Sequence, residues 1–244
     1  MTKLIESSHF LADVSIRSEN LGDEYPYNLP LVKNFQKLTF NPKVTFFVGE
    51  NGSGKSTLLE AIAVVMGFNA EGGSKNFNFS TKETHSDLHK SLEVTKGLTL
   101  PKDGFFLRAE TFYNVSTEVE NLGYAGNSVY GSKSLHQQSH GESFISLMQN
   151  RFKGNGLYIL DEPEAALSPN NQLKFIVLMN ELIKKNSQFI IATHSPIILG
   201  YPEADIYQID TTSIQKVNYE DTNNYQLTRY FLNNKDKMLK ELLQ

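Results

Sequence analysis

The segment at residues 49–56 restricts the possible folds of this chain more than any other part of the sequence. It reads GENGSGKS, which satisfies every fixed position of the pattern G-x-x-x-x-G-K-[ST], and an apolar run at residues 44–48 leads directly into it. This order predicts a buried strand, a loop whose N–H groups converge on phosphates, and a helix that begins at the loop. Lys55 is expected to reach the β- and γ-phosphates of a nucleotide, and Ser56 to bind Mg²⁺. The candidate phosphate-binding residues are Gly49, Glu50, Asn51, Gly52, Ser53, Gly54, Lys55, Ser56 and Thr57.

The composition is compatible with a single folded domain over residues 1–244. Hydrophobic residues make up 39% of the chain, which is enough for a large core. The 23 Lys+Arg and 27 Asp+Glu give a net charge of −4, so charge alone does not indicate nucleic-acid binding, although nucleic acid remains a possible partner. Cysteine is absent, which excludes disulfides, cysteine nucleophiles and cysteine metal sites. We find no signal peptide and no apolar run long enough to cross a membrane, and we expect a cytoplasmic protein without membrane insertion.

Strand-like and helix-like segments alternate along most of the chain. Apolar runs at residues 105–109, 157–160 and 188–192 alternate with amphipathic segments, which predicts an α/β fold with a largely parallel sheet. In such sheets, ligands bind at the carboxyl ends of the strands. Residues 69–103 interrupt the pattern because they are rich in small and polar side chains. We predict that they form a surface insertion.

Two adjacent acids and one histidine follow two of these predicted strands. Asp161 is expected to hold Mg²⁺ together with Ser56, and Glu162 to polarise the water that attacks the γ-phosphate. His194 follows the next strand and is expected to contact the γ-phosphate from the same edge of the sheet. Glu162 and His194 are therefore the candidate catalytic residues.

Residues 139–143 open a predicted helix. Ser139 and Gly141 at its N-terminus would form a second anion site, with Glu142 beside them. An ordinary helix start, with Ser139 as the cap and Glu142 as its capping-box acid, explains the same residues. Taken alone, this segment leaves both interpretations open.

The order of these motifs resembles that of the ABC-type ATPase family. The phosphate loop is similar to the family's Walker A motif, residues 139–142 to its signature, and residues 157–162 to its Walker B motif with the glutamate. Residues 165–168 resemble its D-loop, and His194 its switch histidine. The resemblance covers most of the chain between residues 14 and 207.

The signature departs from the family's Leu-Ser-Gly-Gly-Gln. His140 stands in place of the first glycine and Gln138 in place of the leucine. With these two differences, the signature resembles the stand-alone or SMC/RecF/OLD-like branch of the family rather than the transporter ATPases. Within that branch, residues 106–110, 139–143 and 161–169 resemble small bacterial proteins described as predicted AAA/ABC ATPases. No heptad repeat lies between the phosphate loop and the signature, so we expect a bare head domain without coiled-coil arms.

The resemblance implies a P-loop NTPase fold of the ABC-ATPase type. This fold would have an antiparallel N-terminal β part and a helical signature subdomain at residues 104–155. ATP and Mg²⁺ are the implied cofactors. The active form would be an ATP-dependent head-to-tail homodimer in which Ser139, Gly141 and Glu142 act on the partner's nucleotide. Glu110 lies where the family has its Q-loop and is a further candidate metal ligand. The candidates for contact with adenine are Arg17, Asn34 and Phe35.

The resemblance implies ATP hydrolysis, but two other functions remain open. An ATP-binding subunit of a membrane transporter predicts a leucine and two glycines in the signature and an aromatic residue against adenine. A slow nucleotide-dependent scaffold or toxin-control partner predicts the same motifs as a fast ATPase. The process served is unknown, and DNA maintenance and phage defence are the hypotheses. Residues 69–103 are the expected contact for an unidentified protein partner.

Overall fold

A computed structural model gives the fold over residues 10–17, 24–33, 35, 37–74, 86–108, 140–210 and 213–244. The strands in this part of the chain are β1 (Leu11–Ile16), β2 (Leu38–Thr39), β3 (Val44–Gly49), β4 (Leu92–Lys96), β5 (Asp103–Arg108), β6 (Gly156–Asp161), β7 (Gln188–Ala192), β8 (Asp205–Ile209) and β9 (Ile214–Val217). The helices are α1 (Pro30–Lys33), α2 (Lys55–Val65), α3 (His140–Arg151), α4 (Pro169–Ile183), α5 (Pro196–Leu199) and α6 (Asn223–Leu242). Short 3-10 turns lie at Asp87–Ser91, Pro163–Ala166 and Tyr219–Asp221.

The larger of two sheets has six strands in the order β5-β6-β7-β3-β8-β9. All neighbouring pairs are parallel except β8 and β9, which are antiparallel. A second sheet of three antiparallel strands has the order β2-β1-β4. The predicted α/β fold, with a mostly parallel central sheet and an antiparallel N-terminal β part, is therefore confirmed.

Both faces of the central sheet are covered, which explains why its strands read as continuous apolar runs. Every residue of β6 and β7 is buried. Side chains alternate between two cores: Val44 and Phe46 face α3 and α4, whereas Phe47 faces α2 and the antiparallel sheet. Because β3, β6 and β7 are parallel, their carboxyl ends lie at one edge of the sheet. The phosphate loop, the acid pair and His194 follow these strands at that edge.

Gln188 fastens the antiparallel sheet to the central one. Its side chain is fully buried, and its Oε1 accepts hydrogen bonds from the backbone N–H groups of Phe10 and Leu11 at 3.0 and 2.9 Å. Its Nε2 donates to the carbonyls of Leu11 and Asn41 at 2.8 and 3.0 Å. One amide thus satisfies four backbone groups, in three buried hydrogen bonds and one that is partly buried, and ties the first residues of β1 to β7.

Residues 69–103 differ in part from the surface insertion that the sequence predicts. Strand β4 pairs with β1 along its length, and Leu88 and Leu92 are buried in the core against α2. Among the described residues of this stretch, Leu88, Leu92 and Val94 pack against that core, and apolar residues this few leave a periodicity too weak to be read from the sequence. Residues 75–85 lie outside the described residues.

The range 104–155 holds two described elements with different surroundings. Strand β5 is an edge strand of the central sheet, and α3 packs against α4. Residues 109–139 lie outside the described residues, so the helical signature subdomain stays a prediction.

Helix α6 is the last element, and its exposed apolar residues include Leu227 and Leu232, at 61% and 72% exposure. Thr222 caps its start, and Asn224 donates a side-chain hydrogen bond to the carbonyl of His194 at 2.9 Å. In the described part of the chain, no helix combines the length and apolar character needed to cross a membrane.

Candidate functional site

The phosphate loop, residues 49–56, connects β3 to α2 through glycines in left-handed conformations. Gly52 has φ 80° and Gly54 has φ 101°, a region that side chains with a Cβ rarely adopt. A Cβ on Gly54 would also lie 3.2 Å from the Cβ of Leu31. The glycine positions of the motif thus permit the curled backbone that leads into the N-terminus of α2, the end of a helix that favours phosphate.

Lys55 is held inside the curve of the loop. Its side chain is almost completely buried, and its Nζ donates to the carbonyls of Gly49 and Glu50 at 2.8 and 2.9 Å. Burial lowers the pKa of this amine, while the nearby carboxylates Glu162, Asp161 and Glu164 raise it. An ammonium has three N–H groups, so one remains for a phosphate oxygen.

Ser56 and Asp161 meet although 105 residues separate them in sequence. The Ser56 hydroxyl donates to Oδ1 of Asp161 at 3.2 Å. Burial raises the pKa of the Asp161 carboxyl to about 6, against the lowering effects of the Ser56 hydrogen bond and the Arg108 guanidinium. A hydroxyl and a carboxylate side by side suit Mg²⁺, which in nucleotide sites takes few protein ligands and keeps phosphate and water for the rest. The residues present therefore fit the metal that the sequence predicts.

Glu162 and His194 lie beside each other at the same sheet edge. Glu162 has φ 50° and ψ 53°, and its N–H donates to the carbonyl of Ala192 at 2.9 Å. Its Oε1 lies 3.6 Å from Nε2 of His194, and the side chains are 40% and 32% exposed. Nε2 of His194 is enclosed and has no hydrogen-bond partner among the described residues. A carboxylate with access to solvent next to an imidazole can polarise a water.

Two cavities border the phosphate loop. One of about 400 Å³ is lined by Tyr25, Leu29, Asn51, Gly52, Gly54, Lys55, Ser56, Thr57 and Glu162. The other, of about 490 Å³, is lined by Gly49, Glu50, Asn51, Gly52, Ser53, His194, Gln208, Ile209, Asp210, Asn223, Asn224 and Leu227. The first brings the lysine, the hydroxyl and Glu162 to one space, which is the place expected for the nucleotide phosphates.

Tyr25 is a site residue that the sequence does not reveal. It is 61% exposed, lines the smaller cavity, and its hydroxyl lies 3.4 Å from that of Thr57. Of the predicted adenine contacts, Arg17 instead pairs with Glu93 at 2.7 Å, and Phe35 packs against the core. Asn34 lies outside the described residues. No periodicity or motif surrounds Tyr25, so only the fold brings it to the loop.

Arg108 and Glu60 form a second feature without a sequence signal. Arg108, the last residue of β5, is aligned with Asp161 on β6. Its Nη1 lies 2.7 Å from Oε2 of Glu60 on α2, and its Nε lies 3.8 Å from Oδ2 of Asp161. The ion pair fixes a cation next to the buried carboxylate, where it favours the ionised form.

The signature residues lie near the segment that follows the acid pair. Gly141, in the first turn of α3, is buried, and a Cβ there would lie 2.7 Å from the carbonyl oxygen of Ala166. Glu142 is exposed. In the described part of the chain, neither residue lines the two cavities beside the phosphate loop. Ser139 and Glu110 lie outside the described residues, so their predicted roles stay predictions.

This fold, with its phosphate loop, acid pair and histidine on adjacent strand ends, defines a P-loop nucleotide-binding protein of the ABC-ATPase type. The chain belongs to the AAA domain family, whose model matches residues 27–244. Proteins of the ABC-ATPase family bind ATP with Mg²⁺ and hydrolyse it.

The most similar relatives include ATP-binding proteins of transporters. The ribose import ATP-binding protein RbsA of Bacillus cereus is 26% identical over 204 residues, covering 73% of this chain but only 40% of that protein. The energy-coupling factor transporter ATP-binding protein EcfA1 of Fusobacterium nucleatum subsp. nucleatum is 28% identical over 199 residues, covering 74% of this chain and 73% of that protein. The chain thus spans less than half the length of RbsA.

A solved structure of a metal-chelate type ABC transporter in an inward-facing conformation is similar in fold. The TM-score is 0.50 and the identity 17%, and the match covers 91% of this chain and 89% of that chain. The SMC head domain from Thermotoga maritima has a TM-score of 0.45 and 16% identity, over 85% of this chain and 98% of that chain. At this identity, the first of these matches shows a shared fold and nothing about function.

Proposed function

We propose that this chain binds ATP in the phosphate loop and hydrolyses it, and that it does so as an ATP-dependent head-to-tail homodimer. One observation carries the proposal: Lys55, the Ser56–Asp161 pair and the Glu162–His194 pair meet at one sheet edge, around a cavity next to the loop. An ordinary Gly/Ser turn between a strand and a helix would not require these residues around it.

The residues divide the work of phosphoryl transfer to water. The N–H groups of the loop and Nζ of Lys55 hold the phosphates, and Ser56 and Asp161 would hold Mg²⁺. The metal, when bound, neutralises charge on the phosphate oxygens. Glu162 orients and polarises the water whose oxygen bonds to the γ-phosphorus, while the bond to the β-phosphate oxygen breaks and ADP leaves. His194, beside Glu162, contacts the γ-phosphate and detects its loss.

The position of the signature supports the proposal of a dimer. Gly141 and Glu142 do not line the cavities beside the loop of their own chain, within the described residues, which supports a role for Ser139, Gly141 and Glu142 on the nucleotide of a second copy. A second helix N-terminus that caps the γ-phosphate has a ligand only while ATP is present. Hydrolysis would therefore loosen the dimer and drive a mechanical or signalling step, and DNA maintenance and phage defence are the hypotheses for the process.

A transporter subunit is the second candidate function. The names of the relatives favour it, since RbsA and EcfA1 are ATP-binding proteins of transporters. The signature, with His140 and Gln138 in place of a glycine and a leucine, favours the stand-alone ATPase. A slow nucleotide-dependent scaffold has the same residues and differs only in its rate.

The test is the oligomeric state of E162Q, which should bind ATP but not hydrolyse it. We expect size-exclusion chromatography with light scattering to give a dimer with Mg-ATP and a monomer with Mg-ADP. K55A is the matched control, because it removes phosphate binding and should stay monomeric with either nucleotide. An E162Q variant that binds ATP and remains monomeric would contradict the role of the signature across the dimer. Phosphate release by the wild-type protein, lost in E162Q, tests hydrolysis separately.

A further inference from the structure

Glu164 contacts the loop that carries His194. It lies in the turn Pro163–Ala166, two residues after the acid pair, and its Oε1 accepts a hydrogen bond from the backbone N–H of His194 at 2.5 Å. Hydrogen bonds to an ionised carboxylate are shorter and stronger than those between neutral groups. The contact joins segments 30 residues apart in sequence, directly at the residue expected to detect the γ-phosphate.

The second oxygen of Glu164 is enclosed as well. Neither Oε2 of Glu164 nor Nε2 of His194 has a hydrogen-bond partner among the described residues. Buried polar atoms without partners are costly, and they concentrate where a site has a further task.

A second tether holds the same loop, residues 193–195, and serves as a comparison. The Ser195 hydroxyl donates to Oε1 of Gln172 at 2.6 Å, and Nε2 of Gln172 donates to the carbonyl of Leu167 at 3.1 Å. Ser195 also caps α5. This tether is neutral and does not contact His194. Further contacts hold this loop, because Asn224 donates to the carbonyl of His194 at 2.9 Å and the N–H of Thr193 donates to the carbonyl of Phe47 at 3.1 Å. Among the described residues, Glu164 is the side chain that accepts the hydrogen bond from the N–H of His194.

We propose that Glu164 is a positioning residue, which keeps the imidazole of His194 beside Glu162 during hydrolysis. The proposal rests on the function proposed above, since it assigns a task within the same site. Holding the N–H of His194 fixes the backbone from which the imidazole extends, and so preserves the 3.6 Å separation between Nε2 and Oε1 of Glu162. Two carboxylates two residues apart then have different tasks: Glu162 acts on the water and Glu164 on the histidine.

Replacement of Glu164 by leucine or glutamine tests this role. E164L removes the acceptor, and we expect kcat for ATP hydrolysis to fall about 10- to 100-fold, as is typical for groups that orient a site residue, with KM within threefold. In E164Q an amide oxygen can still accept from the N–H, so kcat should stay within about fivefold of wild type. Q172L, which cuts the neutral tether, should change kcat less than threefold. If kcat falls equally in E164L and Q172L, the Glu164 contact supports the loop in general and has no special effect on His194. That result would overturn the proposal.

A double-variant cycle shows whether Glu164 acts through His194. We expect H194A/E164L to be no more than about twofold slower than H194A, because the positioned group is already absent. If the losses in kcat of the two single variants multiply in the double variant, the proposal is wrong. It is also wrong if E164L lowers kcat and H194A does not.

One measurement needs no turnover. In an NMR spectrum of the protein without nucleotide, the His194 amide proton should resonate at low field, move upfield in E164L and largely keep its position in E164Q. An unchanged resonance in E164L contradicts the contact itself. Absence of hydrolysis by the wild-type protein would instead refute the proposed function, so the two failures are distinguishable.

Discussion

Asp161 should destabilise the metal-free protein at neutral pH, and D161N should therefore be more stable than the wild type. Burial raises the pKa of this carboxyl from its ordinary 3.8 to about 6. At about 1.4 kcal/mol for each pH unit, this difference corresponds to roughly 3 kcal/mol of folding free energy. Asparagine has nearly the same shape and can still accept the hydrogen bond from Ser56. The Arg108 guanidinium keeps its partner Glu60 at 2.7 Å, so D161N leaves no unpaired cation.

The sign of the pH dependence follows from the raised pKa. Above about pH 7 the carboxyl is ionised in both the folded and the unfolded chain, and the folded state bears the full cost of the buried charge. As the pH falls through about 6 toward 4, the folded carboxyl is protonated first, and the cost disappears. The stability advantage of D161N should therefore be largest at pH 8, on the order of 2–3 kcal/mol or about 4–10 °C in Tm, and small near pH 4.5.

Thermal and urea unfolding of the wild type and D161N, in EDTA between pH 4.5 and 8.5, measures this difference. D103N is the matched control, because Asp103, the first residue of β5, also lies at an end of a strand of the central sheet but pairs with Arg151 at 2.6 Å. Removing that partner should destabilise the protein, the opposite sign. The reasoning fails if D161N is no more stable than the wild type at pH 8, or if its advantage does not shrink at low pH.

Three further predictions concern packing and nucleotide affinity. Q188L removes four hydrogen bonds to backbone groups, three of them buried, and should lower the free energy of unfolding by about 4 kcal/mol in urea titrations, whereas a change below about 1 kcal/mol would refute its role as the link between the sheets. G141A should lower Tm by several degrees because the added Cβ meets the Ala166 carbonyl, although Gly to Ala stabilises an unobstructed helix by about 1 kcal/mol, so a rise in Tm would contradict the close approach. We expect the adenine base to stack on the exposed ring of Tyr25, so Y25A should weaken ATP binding about tenfold in calorimetric titrations and leave tripolyphosphate binding unchanged, with Y25F close to wild type. Equal losses for both ligands would place Tyr25 against phosphate.

Local patterns predict the parts of the fold that follow one another in sequence. The strand, loop and helix around Lys55, and the acids after β6, are encoded in contiguous residues whose polarity and glycine content point to one conformation. Because the carboxyl ends of parallel strands lie at the same edge of a sheet, the polar residues that follow these strands could be expected to lie together before any contact was known. The Ser56–Asp161 hydrogen bond and the closeness of Glu162 to His194 follow from that rule.

The features missed by sequence reasoning depend on contacts between distant segments. Strand β4 has few apolar residues, and its backbone hydrogen-bond partners come from β1, which is distant in sequence. Tyr25 precedes the loop by many residues, and nothing in its neighbours indicates that the chain returns to Thr57. Glu164 stands in a visible Asp-Glu-Pro-Glu string, yet its task becomes apparent only when the N–H of His194 lies against it.

The strand order has a consequence for when the site can form. Strand β7 lies between β3 and β6, although it comes after both in sequence. A chain that has been synthesised only through β6 therefore lacks the strand that holds the phosphate loop and the acid pair at their working distance. The proposed ATP hydrolysis therefore requires that β7 has taken its place between β3 and β6. Ribosome-bound fragments that end before Gln188 should hydrolyse no ATP. The last of the three strands to leave the ribosome is therefore the one that brings the phosphate loop and the acid pair together.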